Sequence, residues 1–410
     1  MQRQTCDVSI IGAGPSGAIA AALLAKKGWH VEVFEAQHFP RFSIGESLLP
    51  MCVELIEEAG MLADIEAREF QYKDGAIFWR DGETAVIDFH DKSSAGPATV
   101  YQVRRDQFDD TLIGCAARAG AMVNFGHKVT SFAPSSNQPV MTVENEAGET
   151  FEVESKFTLD ASGFGRVLPR LLNLDTPSDQ DYRRSCFKHV IDHADHPDFD
   201  RNKILITVHP DDPQVWLWLI PLANGMSSIG VVGKDETILS RGETPEDRLQ
   251  AWMSDSGFMA NVLANSTEAR PASEIVGFSR NVSDLTGDGY ALLGNAAEFL
   301  DPVFSSGVTI AMKSASLAAD AVDRQLRGQT VDWAIDFKQE LKVGVEAFRA
   351  CVNAWYTGLL QRLIFLEDRN EDISRHFTSI LAGYAWDRKN PIVKDPKRFF
   401  HLVDRLTADA

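Results

Sequence analysis

Residues 7–35 read DVSIIGAGPSGAIAAALLAKKGWHVEVFE. Val8 to Ile11 is a short β-branched run, long enough for one buried parallel strand. Gly12, Ala13, Gly14, Pro15, Ser16 and Gly17 follow at once, then an alanine-rich helical stretch from Ala18 to Lys27. A second β-branched run starts at His30 and ends at Glu35. This order of strand, glycine turn, helix and strand is the context in which G-x-G-x-x-G binds a dinucleotide. Gly12 makes the tight turn, Gly14 lets a pyrophosphate approach the backbone, and Gly17 allows close helix packing. The helix start then offers free N–H groups and a positive dipole end to phosphate. Glu35, eighteen residues after Gly17, is placed to accept hydrogen bonds from an adenosine ribose. A plain glycine turn is the competing reading, and the two strands and the terminal acid weigh against it.

The 410 residues suggest two domains, or one large domain with an insertion. With 44% hydrophobic and 24% charged residues, the composition is that of a globular protein. A formal net charge of -19 argues against nucleic acid or an anionic membrane surface as partner. The five cysteines are scattered and form no CxxC motif, which points to a reducing cytoplasm and gives no metal signature. The chain enters its first strand too early for a signal peptide. No apolar run approaches the roughly 20 residues that a membrane helix needs.

Beyond Glu35, Pro40 and Gly45 break regular structure, and Ser47 precedes a helical stretch, Met51 to Ala63. Ser47 reads either as a helix N-cap or as part of the ligand crevice at the end of the second strand. Asp81-Gly82 between β-rich runs signals a hairpin over 76–89. Lys73, just before it, reads by position alone as a solvated strand-end lysine. A helix is expected from Arg105 to about Ala119, single strands over Met122–Phe132 and Phe151–Leu159, and small residues in Asp160-Ala161-Ser162-Gly163. Val215–Pro221 reads VWLWLIP, apolar on both faces of a strand, so it is buried on both sides. Trp216, Trp218 and Ile220 share one face, as core or as the wall of an aromatic pocket. Ser305, Ser306 and Gly307 fall at a strand-to-helix junction before a helix over Thr309–Leu326, a potential anion site. Apolar residues from Phe337 to Leu363 recur at helical spacing and predict one long amphipathic helix.

These motifs together resemble the flavin-dependent halogenases, within the wider class of flavin monooxygenase-like proteins, over nearly the whole chain. The Gly12–Gly17 turn, Arg105 in VRRDQFD, Asp160–Gly163 and the 294–307 loop match the wider class and imply FAD. Trp216-x-Trp218-x-Ile220-Pro221 matches the WxWxIP signature of the halogenases. Lys73 falls where that family keeps an essential lysine, and Pro302-x-x-Ser305-Ser306-Gly307 where it binds halide through Ser306 and Gly307. The resemblance also implies cofactor contacts from Ala13, Ser16, Arg41, Ser47, Val129, Asn295 and Pro302. Two departures matter. Phe304 stands where tryptophan halogenases keep a glutamate, so the phenol and pyrrole branch fits better. Asn295 replaces an aspartate common among monooxygenases, and it can still hydrogen-bond a flavin ribityl hydroxyl.

The implied fold is α/β: a Rossmann-type, glutathione-reductase-like FAD domain (1–70, 100–180 and 281–330), a mixed or antiparallel β layer for substrate (71–99 and 181–280), and a helical C-terminal region (331–410). The implied activity is FADH2- and O2-dependent chlorination or bromination of an electron-rich aromatic, free or carrier-tethered. It would run through a flavin C4a-hydroperoxide, hypohalous acid and Lys73, acting as ammonium or as neutral amine. One fingerprint, used by FAD, leaves reduction to a separate flavin reductase. An aromatic hydroxylase is the alternative; a flavoprotein reductase of isoprenoid double bonds and a non-catalytic flavin-binding subunit are further readings.

Overall fold

The computed structural model describes residues 3–192, 196, 199–366 and 370–407. Its nucleotide sheet has six strands in the spatial order Thr286–Gly287, Tyr290–Leu292, Phe157–Asp160, Val8–Ile11, Val31–Glu35 and Met122–Phe125. Every pairing but the first is parallel. The central strands are buried throughout because both faces are covered, and the polar Ser9 among them is hydrogen-bonded to Ser155 and Thr158. Val8, Ile10, Val31 and Val33 face helices, whereas Ile11 and Phe34 face a four-stranded sheet built from Arg3–Thr5, Thr150–Glu154, Val140–Asn145 and His127–Ala133. The first helix, Pro15–Lys26, is buried from Pro15 to Leu24. Helices Ser306–Leu326 and Arg105–Arg118 both pack against it, which explains its all-round alanine and leucine.

A second, seven-stranded sheet runs Thr267–Val276, Arg183–Ile191, Met226–Lys234, Trp216–Pro221, Lys203–Val208, Gly75–Arg80 and Glu83–Asp88. Only Lys203–Val208 and Gly75–Arg80 pair in parallel. Its hairpin turns at Asp81 and Gly82, both at positive φ (48° and 87°), as a tight two-residue turn requires. One face, with Trp216, Trp218 and Ile220, joins the main core. The other, with Leu217 and Leu219, packs on the helices of 235–262, including Leu249, Trp252 and Met259.

Four expectations of continuous elements are corrected, the first being Met51–Ala63, where one helix ends at Glu58 and a second, Leu62–Glu66, starts beyond Gly60 at φ 68°. Met122–Phe132 is two strands in different sheets, parted by Gly126 at φ 69°. Phe151–Leu159 likewise divides into Thr150–Glu154 and Phe157–Asp160. The helix foreseen over 337–363 opens with a π-helical stretch, Trp333–Gln339, continues as Glu340–Tyr356, and breaks at Gly358 (φ 80°) before Leu359–Phe365. Hydrophobic spacing does not register such breaks, because the packing face resumes on the far side. Among the described residues no helix is long and apolar enough to cross a membrane.

Candidate active site

A cavity of about 530 Å³ opens between the two large sheets. At one end lies the glycine turn. A Cβ on Gly12 would stand 2.6 Å from the Ala161 carbonyl oxygen, and one on Gly17 would stand 2.0 Å from the Gly12 carbonyl oxygen. Both positions are closed to any side chain. A Cβ on Gly14 would meet only Arg41 Nη2, at 3.6 Å, so this backbone faces open space at the N-cap of the first helix. Gly12, Gly14 and Ser16 line the cavity. Ala13 and Gly17 do not line it; the Ala13 N–H donates to Glu35 Oε2 at 2.9 Å. That bond fixes the Glu35 carboxylate at the cavity edge, with Gln37 N–H donating to Oε1 at 3.0 Å.

Two guanidinium groups stand near this end. Arg105 pairs with Asp109 through Nε at 2.8 Å and Nη2 at 2.9 Å, and donates from Nη1 to the Ile44 carbonyl at 2.8 Å. Arg41 reaches the same carboxylate at 3.1 Å. Two arginines against one buried acid leave net positive charge on the lining, suited to a pyrophosphate. Val129, Gly163, Asn295 and Pro302 line other parts of the wall. Asp160 does not: it is buried behind, where its carboxylate accepts from the N–H groups of Ser162 (2.9 Å) and Leu168 (2.7 Å). Burial raises its pKa, and those bonds act in the opposite direction. It shapes the turn of 161–168 from below.

On the opposite side, Trp216, Trp218 and Ile220 line the cavity with Ile204 and Ile206 of the neighbouring strand. Pro221 ends the strand outside the lining. A Cβ on Gly230 would stand 2.3 Å from the Trp218 ring, so the indole lies flat over a glycine of the adjacent strand. The loop after Asp301 completes the wall. Ser305 sits at φ 55°, and the helix starts at Ser306, earlier than the spacing predicts. Gly307 and Ser305 line the cavity; Ser306 is buried. A 21-residue helix thus points its free N–H groups toward the cavity wall, an arrangement suited to a small anion.

Lys73 ends the short strand Gln71–Lys73, which pairs with Val100–Gln102. It is 1% exposed, contrary to the solvated reading of its position. Its ammonium donates to Ser47 Oγ at 2.7 Å and to the Leu48 carbonyl at 2.8 Å, and lies 5.3 Å from the Phe89 ring centre. Ser47 lines the cavity, while Lys73 lies directly behind it. Burial pulls the lysine pKa down to about 7, with nearby Cys52 opposing weakly.

Sequence reasoning missed Ile204 and Ile206, although the alternation in Lys203–Val208 could have offered them as a wall. It also missed Asp301 and Tyr356, where no local pattern points to the contact. The Gly12–Gly17 cradle, the Gly14 opening, the paired arginines and Glu35 fit FAD.

A family model described as FAD binding domain matches residues 5–340. The chain is 29% identical to the 1H-pyrrole-2-carbonyl peptidyl-carrier-protein chlorinase of Pseudomonas fluorescens, over 96% of this chain and 92% of that one. It is 40% identical to a flavoprotein/dehydrogenase from Cytophaga hutchinsonii, with a TM-score of 0.94 and coverage of 98% and 99%. The flavin-dependent brominase Bmp2 is similar in structure, at 26% identity, TM-score 0.84 and coverage of 99% and 100%.

Proposed function

The chain belongs to the FAD binding domain family, and from that premise we propose that it halogenates an electron-rich aromatic, a phenol or pyrrole, with reduced FAD, oxygen and chloride or bromide. The observation that carries this reading is the buried Lys73 ammonium, held by Ser47 behind the cavity. Reduced FAD with oxygen, when bound, supplies the two-electron oxidation of halide to hypohalous acid. Gly12–Gly17, Glu35, Arg41 and Arg105 hold the dinucleotide, and Ser47, Val129, Gly163, Asn295 and Pro302 border the rest. The N–H groups of Ser306 and Gly307 hold halide at the helix start, where a weakly basic anion meets a positive dipole end. Trp216, Trp218 and Ile220 form a water-poor wall that keeps the oxidant from bulk solvent. Lys73, with a pKa of about 7, is substantially neutral in mildly alkaline solution. Its lone pair attacks the halogen of hypohalous acid; the O–X bond breaks and water leaves with the displaced proton. The resulting haloamine passes its halogen to the ring and regains the ring proton.

The chlorinase relative acts on a pyrrolyl group tethered to a peptidyl carrier protein, which supports a carrier-tethered substrate here as one form of the proposal. A separate flavin reductase supplies reduced FAD. The test is incubation with a flavin reductase, FAD, NADH, bromide and a panel of free and carrier-bound phenols and pyrroles, read by mass spectrometry. A brominated product is expected. An oxygenated product formed without halide overturns the reading in favour of a hydroxylase.

A further inference from the structure

Behind the cavity wall, three side chains from three segments form one line of hydrogen bonds. Trp216 Nε1 donates to the Tyr356 hydroxyl at 3.0 Å, and that hydroxyl donates to Asp301 Oδ2 at 2.8 Å. The other carboxylate oxygen accepts the Val303 N–H at 3.0 Å. The Arg183 guanidinium lies 3.5 Å from the Tyr356 ring centre. Its Nη2 pairs with Asp181 at 3.2 Å, while Nε and Nη1 find no hydrogen-bond partner among the described residues. Trp216 and Arg183 are 2% exposed and Asp301 is 1% exposed. Burial pushes the Asp301 carboxyl up to about 6, so it is mainly ionised at neutral pH, with its two donors and the Arg183 charge opposing the burial cost.

The ends of this line touch the two walls of the cavity. Trp216 belongs to the aromatic wall, and Asp301 immediately precedes the loop of Pro302, Val303, Ser305 and Gly307. Tyr356 ends helix Glu340–Tyr356 and does not line the cavity itself. The Tyr356 hydroxyl therefore bridges the wall and the loop. The Asp301 bond to Val303 fixes the first turn of that loop, just before the left-handed Ser305 and the helix start. We propose that Asp301 and Tyr356 are positioning residues that hold the tryptophan wall and the 302–307 loop in register, and so set the affinity of the loop for halide. This rests on the halogenase reading. Removing the Tyr356 hydroxyl leaves the Trp216 N–H and one Asp301 oxygen buried without partners, and both walls relax.

The test compares wild type with Tyr356→Phe, both loaded with FAD. Bromide KM, kcat and FAD affinity are measured, together with iodide quenching of bound-FAD fluorescence. Tyr356→Phe should raise bromide KM at least about tenfold while kcat changes by less than about threefold, the pattern of a lost binding contribution. FAD affinity should stay unchanged. Asp301→Asn keeps an oxygen for Val303 and should fall between the two. If Tyr356→Phe does not fold, Trp216→Phe, which deletes the indole donor and keeps a ring, should show the same rise. An unchanged bromide KM in the folded variants overturns the proposal, as does a rise matched by an equal loss of FAD affinity. If no variant or wild type halogenates, iodide decides. The absence of halogenation rejects the halogenase reading, while weaker quenching in Tyr356→Phe still supports the positioning role. Equal quenching, or none, overturns the positioning role.

Discussion

The Lys73 ammonium donates to the Ser47 hydroxyl at 2.7 Å, and of the two only Ser47 faces the cavity. On the proposed mechanism, an oxidised halogen leaving the cavity would meet Ser47 before it meets the lysine. Lys73→Met keeps the length of the side chain and removes the nitrogen. Reduced-flavin oxidation should persist, while halogenated product falls by about 100-fold or more, because an interaction of the transition state has gone. The assay needs a scavenger of free hypohalous acid. Scavenger-resistant product at near wild-type rate would reject the role of Lys73.

The same burial gives a pH signature in stability. The lysine pKa falls from 10.5 to about 7 on folding. Between those values the unfolded chain binds a proton that the folded chain does not, so this group makes stability rise with pH across that window. At and below pH 7 the cost of the buried ammonium is fully present; above 10.5 it is absent. The Tm advantage of Lys73→Met over wild type should therefore be largest near pH 7 and shrink toward pH 10. A difference in Tm that stays constant over this range contradicts a depressed pKa.

Gly14 faces open space apart from Arg41. Gly14→Val should fold with nearly wild-type Tm, yet bind FAD at least about tenfold more weakly, a change of ~1.4 kcal/mol. Fluorescence titration of the apoprotein reads this directly. Wild-type affinity would move the pyrophosphate away from this turn.

Gly230 lies under the Trp218 ring, where a Cβ would come within 2.3 Å. Gly230→Ala should lower stability by about 1–3 kcal/mol through overpacking. Chemical denaturation of the FAD-bound protein measures it. A stability within error of wild type would show that the indole moves aside without cost.

The purified chain should not reduce FAD with NADH or NADPH, since its single dinucleotide fingerprint serves FAD. Anaerobic absorbance at the flavin band follows the reaction. Rapid bleaching without added reductase would refute dependence on a partner.

The α/β class and the FAD fold were legible because their determinants are local. Gly12, Gly14 and Gly17 act through backbone geometry within six residues, and the flanking buried strands are rich in β-branched residues. The turn at Asp81-Gly82 was legible for the same reason. The state of Lys73 was not, because its partners Ser47 and Leu48 come from another segment and its neighbour Phe89 from beyond a turn. The line from Trp216 to Asp301 was equally hidden: 140 residues separate Trp216 from Tyr356, and 55 separate Tyr356 from Asp301. Asp160 shows the reverse difficulty. Its small-residue context suggested a ligand contact, while its carboxylate is taken up by two backbone N–H groups.

The strand Trp216–Pro221 divides its side chains between two separate cores. Odd and even positions are thus independent mutational addresses. Libraries at 216, 218 and 220 can reshape the cavity while 217 and 219 keep the helices of 235–262 anchored. The same parity makes the strand intolerant of length change: one inserted or deleted residue would exchange the two sets, turning leucines into the cavity and tryptophans into the helical layer.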